Sequence, residues 1–226
     1  MTALRDREVL PDHDLATLLR DAPWQRLAVL GDSVAEGVRE PHAGYLDLSW
    51  VDRIEASLRT ATPRLAVLNL GRRNLLAAEV RASQLQPALA FRPDLAIVAA
   101  GGNDALRRSF DPGAVERELV ATVGPLRRAG ADVVLLELMD IVASGLVPAE
   151  HAAALDARMR PLADLTRRVA RRHGAILVPM RGHPAAADPG VYAGDRLHLN
   201  ARGHAIVGTE AVRALSHAII DRRAAA

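Results

Sequence analysis

Five short runs along the chain are apolar almost throughout: residues 27–30, 65–70, 95–100, 133–138 and 175–178. None alternates strictly between polar and apolar positions, so each predicts a strand covered on both faces. Between them, residues 46–60, 75–91, 114–129 and 152–173 carry helical spacing, and residues 201–220 carry a last helix. In that helix Val207, Ala211, Leu215 and Ile219 form one stripe, with Asn200 placed to cap its start. Gly130 and Gly174 stand where helices end ahead of the fourth and fifth strands. Pro161 predicts a kink or split in the fourth helix, and residues 15–20 predict a short helix packed outside the sheet. Strand and helix alternate five times, which predicts an α/β fold: a parallel sheet with right-handed crossovers and helices on both faces. With no repeat, low-complexity tract or linker, residues 26–222 read as a single domain, preceded by an N-terminal extension over 1–25.

Composition narrows the classes of function. The chain has 226 residues, half of them apolar and a quarter charged, which is globular composition. All 29 basic residues are arginine, so the high isoelectric point reflects a base that does not titrate rather than a nucleic-acid surface. Acids nearly balance the bases, and no basic block with interleaved aromatics predicts nucleic-acid binding. Absence of cysteine excludes a disulfide framework and a thiolate nucleophile. Seven histidines (His13, His42, His151, His173, His183, His204 and His217) form no ligand cluster, so no metal is expected; His204 reads as a surface residue of the last helix. The charged stretch MTALRDREVLPDHD has no apolar core of a secretory signal, and no apolar run reaches membrane-spanning length. The expectation is a soluble cytoplasmic protein.

Ligands of open parallel sheets bind beyond the carboxyl ends of the strands, and the polar residues of this chain gather there. Gly31-Asp32-Ser33 follows the first strand, Gly71 the second, and Gly101-Gly102-Asn103-Asp104 the third; Asp195 and His198 follow the fifth. A serine hydroxyl needs a base to take its proton, and that base needs an acid to fix its tautomer. Ser33, His198 and Asp195 supply the three parts. Donors for a developing oxyanion are at hand in the backbone N–H groups of Ser33 and Gly71 and the side-chain amide of Asn103. Asp32 and Asp104 read as scaffold, bonding loop amides. Arg72, Arg73, Arg107 and Arg108 also follow strands on this edge and are candidates to hold a substrate carboxylate or phosphate; among so many arginines, such pairs also arise by chance. Two loops, 38–50 with Tyr45 and Trp50, and 139–150 with Met139 and Ile141, border the same edge. The second reads equally as a mobile apolar lid, as core, or as a dimer contact.

Four blocks in this order resemble the SGNH hydrolases, also called GDSL-like esterases and lipases. They are Gly31-Asp32-Ser33 followed by Gly37, Asn69-Leu70-Gly71, Gly101-Gly102-Asn103-Asp104, and Asp195-Arg196-Leu197-His198. The resemblance spans about residues 27–220. It implies a three-layer α/β/α sandwich around a flavodoxin-like five-stranded parallel sheet. It also implies Ser33 as nucleophile, His198 as base and Asp195 as its orienting acid, with Ser33, Gly71 and Asn103 as oxyanion donors. Two positions depart from the family pattern: Val34 replaces the leucine of the family's popular name, and Arg72-Arg73 follows Gly71 where small residues are common. The expected activity is hydrolysis of a carboxylic ester of a small molecule or lipid through an acyl-enzyme, without a cofactor. The same site suits acyl transfer, thioester cleavage or removal of a sugar-borne acetyl group. A non-catalytic flavodoxin-like ligand-binding domain is the rival of a different class; the missing G-x-G-x-x-G and P-loop signatures speak against it.

Overall fold

The computed structural model describes residues 8–225. Strands β1 (Arg26–Gly31), β2 (Ala66–Asn69), β3 (Leu95–Ala99), β4 (Asp132–Leu136) and β5 (Ile176–Val178) form one all-parallel sheet in the order β2-β1-β3-β4-β5. The helices are α1 (Asp12–Leu18), α2 (Ser33–Glu36), α3 (Trp50–Ala61), α4 (Ala77–Phe91), α5 (Gly102–Leu106), α6 (Pro112–Arg128), α7 (Ala149–His173) and α8 (Ala201–Ala225). Helices α1, α3 and α8 pack together, and α4, α6 and α7 pack as a second group, giving the three-layer sandwich. Unbroken apolarity of the inner strands follows from this: β3 and β4 are buried at every residue, whereas the edge strands β2 and β5 are half-exposed. Strand order reverses between β1 and β3, opening a crevice at their carboxyl ends.

Two elements differ from the sequence reading. The first helix starts at Asp12 rather than 15, because Pro11 presets the N-cap backbone and Asp12 and Asp14 supply first-turn acids. Leu15 and Leu19 then enter the common core, and the amide of Leu10 donates to Thr209 Oγ1 on α8 at 3.2 Å. Pro161 does not split its helix: α7 runs through it for 25 residues. Leu155, Met159, Leu162, Leu165 and Val169 are buried on both sides of the proline, and that packing outweighs the lost backbone bond. Of segment 139–150, Met139, Ile141 and Ser144 are buried around a 3₁₀ turn, Ile141–Ser144, whereas Ala143, Gly145 and Pro148 to Glu150 are exposed. Asn200 does cap α8, its Oδ1 accepting from the amides of Arg202 and Gly203 at 3.0 and 3.1 Å.

Candidate active site

Strand β1 ends on Gly31, whose φ is +147°. A Cβ there would stand 1.9 Å from the carbonyl oxygen of Ala99, so only glycine permits this approach of β1 to β3. The peptide is clamped from α4: Gly31 N–H donates to Gln84 Oε1 at 2.7 Å, and Gln84 Nε2 donates to Gly31 O at 2.9 Å. Asp32 then caps α2 by accepting from Val34 N–H at 3.0 Å. Burial is the main force lifting its carboxyl to about 6; the Val34 amide opposes the shift and Asp104 adds to it. Ser33 follows as the first residue of α2, so its N–H lies among those a helix leaves without an internal acceptor.

The histidine facing Ser33 comes from the other end of the chain. Asp195 Oδ1 accepts from the amides of Leu197 and His198 at 3.0 and 2.9 Å, which folds the turn back on itself. Its Oδ2 accepts from His198 Nδ1 at 2.6 Å, and His198 Nε2 lies 2.9 Å from Ser33 Oγ. A carboxylate only accepts, so Nδ1 carries the proton and Nε2 is left to accept from the serine hydroxyl. Burial alone would raise the Asp195 carboxyl, but bonds from the His198 ring and the His198 and Leu197 amides hold it below the usual range. Glu40, outside every motif, braces the turn: its carboxylate accepts from Gly194 N–H at 2.6 Å.

The remaining candidates divide. Asn103 lines the cavity beside Ser33; one amide hydrogen goes to Leu75 O at 3.0 Å, leaving the second for a ligand. Gly71 does not line the cavity, and its N–H is donated to Asn69 Oδ1 at 2.8 Å. Glycine is required there for another reason: a Cβ would meet the backbone nitrogen of Glu36 at 2.3 Å, so β2's exit loop lies directly on α2. Asp104 accepts from Ala77 N–H at 2.9 Å, tying α5 to α4. None of Arg72, Arg73, Arg107 and Arg108 lines the cavity, and Arg73 is held by Glu36 at 2.8 Å. His204 is not a surface residue. It is 3 % exposed, its Nδ1 accepts from Trp50 N–H at 3.1 Å, and its Nε2 donates to Val38 O at 3.1 Å. Burial pushes the ring down to about 4, so it stays neutral. It fixes Trp50, whose indole N–H donates to Val34 O at 2.8 Å behind the serine. Gln84, Glu40 and His204 escape a reading by motif because each works on a partner distant in sequence.

Ser33 and His198 open into a cavity of about 110 Å³. It lies beyond the carboxyl ends of β3 to β5, between α7 and α8. Leu106 and Leu197 stand at its mouth, 40 % and 43 % exposed. Among the described residues no cluster of His, Asp and Glu suits a metal ion, and no helix is long and apolar enough to cross a membrane.

A parallel α/β/α sandwich whose crevice holds a serine hydrogen-bonded to a histidine, itself bonded to an aspartate, has an arrangement that serine hydrolases of several unrelated folds share. The model of the GDSL-like lipase/acylhydrolase family matches residues 29–206, and the chain belongs to that family. Solved structures similar to it include LAE5, an α/β hydrolase enzyme from the metagenome of Lake Arreo, Spain. That match has 26 % identity and a TM-score of 0.68, covering 84 % of this chain and 94 % of LAE5. TesA matches at 23 % identity and a TM-score of 0.66, covering 84 % of this chain and 98 % of its own. Axe2, an acetylxylan esterase from Geobacillus stearothermophilus, matches at 19 % identity and a TM-score of 0.66, covering 84 % and 94 %. Comparison with curated proteins gives no match. The protein is a hydrolase of the SGNH type.

Proposed function

We propose that the protein is a serine esterase that cleaves a carboxylic ester through a covalent acyl-enzyme. The unbroken chain Asp195 Oδ2–His198 Nδ1 at 2.6 Å and His198 Nε2–Ser33 Oγ at 2.9 Å is the observation that carries this reading. Ser33 Oγ attacks the ester carbonyl as His198 Nε2 takes its proton, and the imidazolium is stabilised by Asp195. The tetrahedral oxyanion is met by the Ser33 N–H and the second amide hydrogen of Asn103. Collapse breaks the bond to the alkoxy oxygen, which leaves as the alcohol with the proton from His198. Water then attacks the acyl carbon, giving its proton to His198, and Ser33 is released with the free acid. No step needs a cofactor.

Ser33→Ala is expected to abolish turnover of a chromogenic butyrate ester while the unfolding transition is kept. An organophosphonate is expected to add once per chain, at Ser33, by mass spectrometry. Hydrolysis surviving in Ser33→Ala refutes the assignment.

A further inference from the structure

Every methionine among the described residues lines one cavity: Met139, Met159 and Met180. They converge from three places far apart in sequence, the loops after β4 and β5 and the middle of α7, onto the cavity that begins at Ser33 and His198. All three are buried, and Leu136, Ile141 and Val207 complete the apolar wall. A second void of about 10 Å³ lies beyond, bounded by Leu162, Ala163 and Thr166 of α7. Leu136, Leu138 and Met159 border both spaces and so form the partition between them. The two acidic side chains in the lining are already engaged: Asp32 caps α2 through Val34 N–H, and Arg167 lies 2.5 Å from Glu137 Oε1 while Arg181 N–H donates to its Oε2 at 3.3 Å.

We propose that this methionine-lined cavity receives the acyl chain of the substrate, that the preferred chain is a flexible aliphatic one longer than acetyl, and that Met159 sets its length limit. The proposal rests on the esterase reading above. A thioether side chain is unbranched with three rotatable bonds, so a wall built from three of them adapts to a chain of variable length and shape. An acetyl group would leave that space unfilled and forgo the burial it offers. The carbonyl is held at Ser33, the chain runs inward past Met139 and Met180 to Met159, and the alcohol leaves by the mouth at Leu106 and Leu197.

The test is a series of p-nitrophenyl esters from acetate through butyrate, hexanoate and octanoate to decanoate. It is run on the wild type, Ser33→Ala, Met159→Ala and Met159→Trp. The wild-type kcat/KM is expected to rise roughly fourfold per added methylene, up to a limit. That limit is expected to lengthen in Met159→Ala and shorten in Met159→Trp. Ser33-dependent hydrolysis that is flat along the series, or best for acetate, overturns the cavity assignment and leaves the esterase reading standing. One limit shared by both Met159 variants overturns the role of Met159. Loss of Ser33 dependence for every ester overturns the esterase reading itself. Product inhibition of the wild type by acetate, hexanoate and octanoate needs no variant: tightening with length supports the proposal, and equal inhibition refutes it.

Discussion

Asp195 performs two tasks with two oxygens: Oδ1 folds the turn and Oδ2 orients the imidazole. Asparagine can keep the first task, since its carbonyl oxygen still accepts, but it cannot play the part of the anion. Asp195→Asn is therefore expected to keep the unfolding midpoint and lower kcat on the order of a thousandfold or more. Steady-state kinetics beside a thermal melt measure both; a loss below tenfold would show that Asp195 does not orient His198. This aspartate was legible in the sequence because its partner lies three residues away. Gln84 and His204 were not, because their hydrogen bonds reach 53 and 154 residues along the chain. Nothing local separates a histidine that holds a tryptophan amide from one that faces solvent.

Elements were easier to read than their junctions. Apolar runs located all five strands, since burial on both faces leaves a mark in composition that needs no tertiary knowledge. The persistence of α7 through Pro161 was illegible, because it depends on apolar partners that the fold brings to both flanks. Gly71 lies at such a junction. Its motif suggested an oxyanion donor, whereas its contact is with the backbone of α2, the element that carries Ser33. In Gly71→Ala the new methyl group would push on Glu36 N and Ala35 C, neither of which can rotate away. The expected cost is about 1–3 kcal/mol in urea unfolding, together with a fall in kcat as the serine shifts against His198. Unchanged stability and rate would mean that the loop yields without moving α2.

Across the whole molecule, two buried groups near the site titrate in opposite senses over one pH range. His204 has an ordinary value of 6.5 and a folded value of about 4. The unfolded chain takes the proton first, so stability from this group is lost as pH falls from about 6.5 to about 4. Asp32 has an ordinary value of 3.8 and a folded value of about 6. Its folded form holds a proton that the unfolded chain has released, so its contribution is lost as pH rises through that range. The two slopes largely cancel in the wild type. Asp32→Asn removes one of them, and its stability is expected to gain roughly 3 kcal/mol on the wild type between pH 4 and pH 6. Urea midpoints at several pH values test this, and parallel curves for the two proteins would defeat it. The span of 165 residues between serine and base also has a meaning in time. At synthesis rates of about 5–20 residues per second, Ser33 leaves the ribosome roughly ten to thirty seconds before His198. On the proposed mechanism a nascent or truncated chain carries the nucleophile without the group that arms it, and reactivity arrives only after the last strand, β5, has been made.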